Sequence, residues 1–323
     1  SVSVLGAKTA GEWKVIEHEF PPVGSLLLVA DPAAKGRAAA AAAEPVEEVV
    51  DLRGPWEFER THPNSMTLDV ARAAFDGGAP GEPRPVWKAR YEAHERYGPA
   101  RYRSMQPWRL RQVCPAPPAG SSVRLHFEFE AKFTPGRVAL VVEEAHKWKL
   151  SVNGRNVPTD TKEWHWDKQF GCIDITAAVV QGKNEIDLET PFRLDTEVED
   201  VYLVGDFAVA SEDGLRFRLV PEPKQLQDGD WVKQGYAFYA GNMIYRRTIK
   251  LEPAEGAQYL VRLRKPRGPL FAVRVNGSPA GVVTWQPWEV DVTSLLRSGE
   301  NRIEIEVMGT LRNTFGPLHH QQC

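Results

Sequence analysis

The sequence predicts an all-β protein that folds as two tandem antiparallel β-sandwiches. Three observations predict this fold class: a strand-and-turn pattern that occurs twice, alternation of apolar and polar residues at period two, and no long helical pattern between the copies. The chain of 323 residues is too long for one ordinary sandwich and long enough for two domains with a linker. Hydrophobic residues make up 42% of the chain, so a substantial core can form.

The first 44 residues are predicted to hold remnant strands of a preceding domain and an Ala-rich linker. The β-like stretch 12–29 is too small to fold alone. Residues 38–43 are six consecutive alanines, which present no amphipathic face and are typical of a linker or a short helix. The chain has no initiator Met, and we expect it to be a fragment or a processed form of a longer protein.

The first sandwich is predicted over residues 45–215. Residues 123–129 alternate between apolar and polar side chains, which indicates a half-buried strand. Asn153-Gly154 predicts a type I′ hairpin turn, because both residue types tolerate positive φ. The stretch 63–118 is rich in Gly, Pro, Arg and aromatic residues and is predicted to be irregular.

The second sandwich is predicted over residues 216–323 from an internal repeat. Each copy has an Asn-Gly turn, a short strand that ends in Asp-x-Thr, and a Gly-x-Asn turn before an alternating strand. The Asn-Gly turns are Asn153-Gly154 and Asn276-Gly277, and the Gly-x-Asn turns begin at Gly182 and Gly299. Such a repeat predicts two copies of one supersecondary unit.

The composition excludes several classes of function. The net charge of −3, from 40 basic and 43 acidic residues, gives no electrostatic reason to expect a nucleic acid or an anionic membrane as partner. No apolar run is long enough to span a bilayer. The three cysteines are far apart and odd in number, so they indicate neither a disulfide framework nor a metal cluster.

The second copy resembles the sugar-binding, galactose-binding-like jelly-roll domain of glycoside hydrolase family two and of related large bacterial glycosidases of the α-L-rhamnosidase type. The segments that carry the resemblance are Tyr245–Ile249, Val273–Gly277, Gly281, Val290–Leu296 and Gly299–Val307. The first copy is similar but looser, and the ending 310–320 is similar to the closing segment of that group. The resemblance covers roughly residues 51–320.

The resemblance implies a C-terminal, non-catalytic piece of a larger bacterial enzyme. In that family two carboxylates on a separate (β/α)8 barrel perform hydrolysis, and nothing in this sequence predicts such a barrel. We therefore expect no enzyme activity, no catalytic residues and no cofactor. The parent protein is expected to be secreted, periplasmic or on the cell surface, and its catalytic domain is an expected partner.

No metal ligands are predicted, although two groups of residues contain suitable atoms. Sandwiches of this shape are known to hold a structural calcium ion, and one loop here has carboxylate oxygens but no EF-hand pattern; its acidic residues are Asp195, Glu197, Glu199 and Asp200. The adjacent His319 and His320 are expected to dock on a neighbouring domain rather than to bind a metal.

Candidate carbohydrate-binding residues come from Trp-rich loops that follow the Asn-Gly hairpins. Sugar sites pair an aromatic face with planar polar side chains that bond hydroxyl groups. The candidates are Trp164, Trp166, Asp167, Lys168 and Gln169 in the first copy, Trp285 and Gln286 in the second, and Tyr236 and Tyr239 before the second copy. Trp56, Trp148 and Trp288 occupy strand positions and are predicted to be core.

Two functions of different classes remain open at this point, and a third, a complete small hydrolase, is disfavoured because the sequence has no recognisable catalytic motif. The first is a carbohydrate-binding accessory module that binds or positions an oligo- or polysaccharide for a glycosidase. The second is a structural scaffold that supports the catalytic barrel and has no affinity for sugar. Exposed aromatic rings at the loops favour the first function, and rings buried against core or another domain favour the second.

Overall fold

The computed structural model describes residues 7–17, 20, 27–29, 49–98 and 105–316. The predicted Ala-rich linker at 38–43 and the pair His319–His320 lie outside these residues. The chain divides into two compact units. The larger unit comprises Pro55–Tyr245 and Met308–Cys323, and the smaller unit comprises Ser1–Gly54 and Arg246–Val307.

Strands make up most of the regular structure, which confirms the predicted all-β class. In chain order they are β1 Lys8–Ala10, β2 Trp13–Val15, β3 Pro55–Arg60, β4 Asn64–Leu68, β5 Val70–Phe75, β6 Arg84–Pro85, β7 Ser122–Ala131, β8 Val138–Glu143, β9 Lys149–Val152, β10 Arg155–Val157, β11 Trp164–His165, β12 Asp167–Asp174, β13 Gly182–Pro191, β14 Val201–Gly205, β15 Ala208–Ala210, β16 Arg218–Val220, β17 Leu226–Gln227, β18 Met243–Leu251, β19 Leu260–Arg262, β20 Phe271–Val275, β21 Ser278–Val283, β22 Glu289–Asp291 and β23 Gly299–Val307. The helices are α1 Val86–Tyr97 and α2 Pro107–Val113, and 3-10 turns cover Ala145–Lys147, Thr176–Ala178, Trp231–Gln234, Thr293–Leu295 and Leu311–Phe315.

The larger unit is a sandwich of two sheets. The first sheet has the strand order β10-β9-β13-β7-β16-β15, and β5 pairs with both β7 and β6. The second sheet has the order β11-β12-β8-β14-β4. Pairing is antiparallel except for the short contact between β16 and β7, which is parallel. This arrangement agrees with the antiparallel sandwich that the sequence predicts.

The core of the larger unit lies between these two sheets. Alternate residues point to one side of a strand, so the apolar residues of β7 and β13 meet those of β8 and β14. Phe127, Leu140, Ile186 and Leu203 are all fully buried in one cluster. Burial of each such side chain stabilises the fold by about 1.5 to 3 kcal/mol, so this cluster accounts for much of the stability.

The stretch 63–118 is more ordered than predicted, since it forms β4, β5, β6 and both helices. Helix α1 buries Val86, Ala89, Ala93 and Tyr97, a helical spacing of three and four residues. The helix ends at Gly98, whose φ of 114° few other residues adopt. The three prolines and three glycines in residues 77–85 obscure this pattern in the sequence, because they favour turns.

Strand β4 is hard to predict because it is polar and yet fully buried. The Asn64 amide donates to the carbonyl of Phe207 at 2.8 Å, and the Ser65 hydroxyl donates to the carbonyl of Phe238 at 2.7 Å. The Thr67 hydroxyl donates in the same way to the carbonyl of Thr314 at 2.6 Å. Hydrogen bonds thus offset the cost of burying these groups, so a polar sequence can form an interior strand.

The predicted Asn-Gly hairpins are confirmed in both copies, since all four turn residues have positive φ. The Asn153 amide donates to the Oδ1 atom of Asn184 at 2.9 Å, and the Asn276 amide donates to the Oδ1 atom of Asn301 at 2.9 Å. Asn184 and Asn301 are both 0% exposed. Each buried asparagine therefore joins the hairpin turn to the Gly-x-Asn turn of its own copy.

The smaller unit contains the second copy of this motif. Strand β20 pairs antiparallel with β21 and β23, and β19 pairs antiparallel with β22. Strands β1 and β2 form a separate short hairpin, with Lys8 opposite Val15. Among the residues that the structure describes, none of the helices has the length and apolar character needed to cross a bilayer. The domain limits drawn from the repeat, at residues 45, 215 and 216, stay a prediction.

Candidate functional site

The Trp-rich segment of the larger unit forms the edge of the second sheet. Strand β11 turns sharply into β12, with His165 opposite Asp167 and Trp166 between them. Trp166 has a φ of 62°, in the left-handed region, and this conformation lets a single residue reverse the chain. The Asp167 carboxylate accepts a hydrogen bond from the backbone N–H of Gln169 at 2.8 Å, which stabilises the turn.

The register between β11 and β12 is irregular at this edge. Trp164 pairs with Gly171 and the next residue, His165, pairs with Asp167, so residues 168–170 have no partner on β11. Lys168 and Gln169 lie in this irregular stretch, and Phe170 packs on the outer side of the sheet. The structure therefore places Trp164 at an exposed sheet edge with Asp167, Lys168 and Gln169 on the adjoining strand.

Trp164 is the most exposed aromatic residue of this edge, with 52% of its surface accessible. The side chains of Asp167, Lys168 and Gln169 are exposed as well. A free indole ring next to an exposed amide is the pairing that sugar recognition uses, because the ring covers C–H groups and the amide bonds hydroxyl groups. We call the edge formed by Trp164, Asp167 and Gln169 the tryptophan edge.

An aromatic face covers the outer side of the second sheet, and we define it as Trp166, Phe170 and Tyr202. The rings of Trp166 and Tyr202 meet edge to face at 5.1 Å, and Phe170 lies 6.1 Å from Tyr202. They pack on the apolar outer residues Ala139, Val141 and Val204. All three rings are half-buried, so Trp166 contributes partly to packing rather than lying free.

His165 joins the tryptophan edge to the aromatic face. Its ring lies 4.4 Å from the ring of Trp166. Burial, together with the positive charges of His62 and Arg137, lowers the pKa of His165 to about 4. The imidazole is therefore neutral at pH 7 and can both donate and accept a hydrogen bond. The sequence gives no signal for this role, since His165 stands alone among aromatic residues.

A group of carboxylates borders the aromatic face. Glu143 lies directly opposite Phe170 across the sheet. Burial raises the pKa of Glu143 to about 7, and the nearby charges of Glu197 and Glu199 add to the rise. Burial and the neighbouring carboxylates of Asp200 and Glu199 also raise the pKa of Tyr202. We call Glu143, Glu197, Glu199 and Asp200 the rim carboxylates.

Cationic side chains engage two residues of the loop considered for calcium. Arg90 forms an ion pair with Glu199. Lys147 reaches the Asp195 carboxylate at 3.5 Å, and Arg111 reaches it at 3.4 Å. Positive side chains thus occupy the positions around these oxygens that a calcium ion would need. We derive no calcium site from this loop.

The corresponding loop of the smaller unit lies between β21 and β22. Trp285 is 57% exposed, and Gln286 beside it is half-buried. Val282, at the end of β21, is 58% exposed. The loop therefore presents an apolar surface with fewer exposed polar side chains than the tryptophan edge.

The two tyrosine candidates belong to the core of the larger unit, because both are fully buried. The Tyr236 hydroxyl donates to the Glu222 carboxylate at 3.0 Å, and the Tyr239 hydroxyl donates to the carbonyl of Asn242 at 2.6 Å. A buried ring offers no face to a sugar, so the structure places Tyr236 and Tyr239 away from any binding surface. Their hydroxyl groups make polar contacts that a sequence cannot distinguish from ligand contacts.

Of the three tryptophans predicted to be core, two are buried and one is half-buried. Trp56 and Trp148 are both buried at 5% exposure, as predicted. Trp288, which the sequence also assigns to the core, is only half-buried. Its position on the loop before the three-residue strand β22 leaves part of the ring accessible.

No protein-family profile matches the chain, and no curated protein matches it. Solved structures with similar segments include a rhamnosidase from Novosphingobium sp. PP1Y, with 18% identity and a TM-score of 0.24 over 61% of this chain and 19% of that enzyme. An exo-chitosanase from Amycolatopsis orientalis has 13% identity and a TM-score of 0.30 over 75% of this chain and 28% of that enzyme.

A β-glucuronidase from Ruminococcus gnavus has 10% identity and a TM-score of 0.28 over 78% of this chain and 40% of that enzyme. The chain thus spans less than half the length of each of these glycoside hydrolases. At these identities and TM-scores the comparison assigns no activity to the chain.

Proposed function

We propose that the chain is a non-catalytic carbohydrate-binding accessory module of a larger glycoside hydrolase, and that it binds an oligo- or polysaccharide at the tryptophan edge. The observation that carries the proposal is the exposed ring of Trp164 at a sheet edge whose adjoining strand β12 carries the exposed side chains of Asp167 and Gln169. The ring would stack on the C–H face of a sugar, while Gln169 and Asp167 bond its hydroxyl groups. In this proposal the parent enzyme is secreted, periplasmic or on the cell surface.

A structural scaffold is the second candidate, and the aromatic face favours it. Trp166, Phe170 and Tyr202 contact one another and are half-buried. A neighbouring catalytic domain could cover such rings without any sugar being present. In the smaller unit, exposed Trp285 and Val282 would suit the same purpose. The two candidates differ in whether a free glycan binds to the isolated chain.

Replacing Trp164 by alanine is expected to weaken glycan binding about fivefold to tenfold, since one stacking ring contributes on the order of 1 kcal/mol beyond its buried area. A glycan array would identify a ligand, and isothermal titration calorimetry would then measure the affinity of the wild type and the variant. The fold should remain intact, because Trp164 is exposed.

Trp87→Ala is the matched control, because Trp87 is also exposed but lies on helix α1, which contacts β5 and β6. Its affinity for the glycan should equal that of the wild type. An unchanged affinity in Trp164→Ala would place the site elsewhere. Failure of the wild-type chain to bind any glycan on the array would favour the scaffold.

The isolated chain is expected to leave aryl glycosides uncleaved. Among the rim carboxylates, Glu143 has a raised pKa. A carboxyl group with a raised pKa is typical of a general acid, so Glu143 is the residue to substitute in a test for hydrolysis. Release of the aryl group from a panel of substrates would be followed by absorbance for the wild type and for Glu143→Gln. Turnover that the substitution abolishes would contradict the non-catalytic proposal.

A further inference from the structure

A row of four ionisable side chains crosses the outer face of the first sheet. His126 and Glu128 lie on β7, and Asp187 and Glu185 lie directly opposite them on β13. The residues between them, Phe127 and Ile186, point into the core. Alternation on two paired strands therefore fixes all four side chains on one solvent-facing surface.

The histidine of this row is held in one orientation. The Nδ1 atom of His126 lies 3.1 Å from the Oδ1 atom of Asp187. Such a carboxylate accepts the Nδ1–H bond and directs the lone pair of Nε2 outward, as it does for histidines that bind metals. The His126 side chain is only 16% exposed, so packing restricts the ring further.

The other ring nitrogen faces a carboxylate across a short gap. The Nε2 atom of His126 lies 3.5 Å from the Oε1 atom of Glu128. A lone pair and a carboxylate oxygen at this distance both attract a cation between them. Tetrahedral zinc with bonds of 2.0 to 2.1 Å separates its ligand atoms by about 3.3 Å, which is close to the observed gap.

Glu185 completes a group of three potential ligands. The ligand atoms of His126, Glu128 and Glu185 all lie within 4.8 Å of one another. The ammonium of Lys183 lies 3.0 Å from Glu128 and 3.0 Å from Glu185, so a cation already bridges the two carboxylates. The Lys183 side chain is 59% exposed, so a divalent ion could displace its ammonium into solvent.

We propose that His126, Glu128 and Glu185 bind one divalent transition-metal ion of the zinc class. Asp187 acts as the residue that positions His126, and the Lys183 ammonium competes with the metal. Imidazole with carboxylates favours zinc or a similar ion over calcium, which prefers oxygen ligands alone. Water would complete the coordination, because the surface is open to solvent. This proposal is independent of carbohydrate binding.

A second positive side chain, that of Arg72, also lies near the proposed metal site. Arg72 lies opposite His126 on β5. Its guanidinium is directed to the carbonyl of Gly81 at 3.4 Å and to the carboxylate of Glu82 at 3.8 Å. Lys183 is the cation that pairs with both carboxylate ligands.

Calorimetric titration of the full chain with Zn2+ tests the proposal. To exclude metal binding by the histidine pair His319–His320, every protein carries His319→Ala and His320→Ala. One Zn2+ per chain should bind saturably, and the affinity should fall at least about 100-fold in His126→Ala and in Glu185→Gln, which remove a direct ligand. His146→Ala, which removes an exposed histidine elsewhere in the larger unit, should leave the affinity unchanged.

Two further variants distinguish a built site from general surface charge. Asp187→Asn should weaken Zn2+ binding about 10-fold to 100-fold by releasing the His126 ring. Lys183→Met should strengthen binding severalfold by removing the competing ammonium, whereas simple loss of surface structure would weaken it. The visible spectrum of bound Co2+ should change in Asp187→Asn, since the geometry of the ligands changes.

Circular dichroism of each metal-free variant checks folding. If His126→Ala unfolds, the Zn2+ affinities of Glu185→Gln and Lys183→Met test the proposal instead. Both substitutions alter exposed or half-exposed side chains, so these variants should keep their fold. The absence of one-site binding in the parent chain would overturn the proposal. Equal affinity in the parent chain, His126→Ala and Glu185→Gln would overturn it as well.

Discussion

Replacing Asn184 by alanine is expected to lower the free energy of unfolding of the larger unit by about 3 kcal/mol. The side chain is fully buried and holds the Gly-x-Asn turn together. Its Oδ1 atom accepts from the N–H of Val180 at 2.8 Å and from the amide of Asn153 at 2.9 Å. Its amide donates to the carbonyls of Val180 and Gly182.

The substitution would leave several buried groups without a partner. Each hydrogen bond contributes about 1 kcal/mol net, but a buried polar group left unpaired costs about 1 to 3 kcal/mol. The Asn153 side chain loses one of its bonds, so the hairpin turn is weakened together with the Gly-x-Asn turn. Folded domains have total stabilities of about 5 to 15 kcal/mol, so this loss is a large fraction.

Urea unfolding followed by tryptophan fluorescence measures the change. Asn156→Ala is the matched control, since Asn156 is exposed on β10 in the same motif and should change stability by less than about 0.5 kcal/mol. Hydrogen exchange of peptides from residues 122–191 should increase in Asn184→Ala. A variant as stable as Asn156→Ala would show that the buried amide does not hold the motif.

Asn301→Ala is expected to have a comparable effect on the smaller unit. The Oδ1 atom of Asn301 accepts from the N–H of Arg297 at 2.9 Å, and its amide donates to the carbonyls of Arg297 and Gly299. These bonds repeat those of Asn184, atom for atom. Exchange should therefore increase in peptides from residues 271–307.

The repeat could be predicted from the sequence because each turn depends on residues that are adjacent in the chain. Asn153-Gly154 and Asn276-Gly277 require positive φ, and few other residue pairs tolerate that conformation at both positions. The buried strand β4 was not readable, because its polar side chains bond to carbonyls distant in the chain. Its burial depends on tertiary contacts that no local pattern reveals.

The candidate site was predicted only in part for the same reason. Trp164 stood out as a tryptophan in a loop, and the structure exposes it. Tyr202 and Glu143 lie on strands far from that loop in sequence, and only the pairing of β8 with β12 and β14 brings them beside Phe170. Register across a sheet is a long-range property, so sequence spacing alone could not assemble this group.

The contribution of Glu143 to the stability of the larger unit is expected to fall as the pH rises from about 4.5 to 7. Burial first, and then the charges of Glu197 and Glu199, raise its pKa to about 7 in the folded state. An unfolded glutamate ionises near pH 4.3, so between these values the folded state binds the proton more tightly. Its stabilising contribution is therefore fully present below about pH 4 and is lost as the pH rises through 7.

Glu143→Gln should remove this dependence, because glutamine keeps the shape of the side chain without its charge. At pH 8 the variant should be more stable than the wild type by about 1 to 2 kcal/mol. This is less than the roughly 3 kcal/mol that linkage gives for a fully shielded group, because the carboxyl is only half-buried and solvent screens it. Near pH 4 the two proteins should have equal stability, since both are uncharged at this position.

Urea unfolding of both proteins across this pH range measures the difference. His165, whose lowered pKa produces the opposite trend in acid, is present in both proteins and cancels in the comparison. Glu189→Gln, an exposed position on β13, should shift stability by less than about 0.5 kcal/mol at either pH. If Glu143→Gln is no more stable than the wild type at pH 8, neither burial nor the charges of Glu197 and Glu199 disfavour the ionised Glu143 carboxylate in the folded protein.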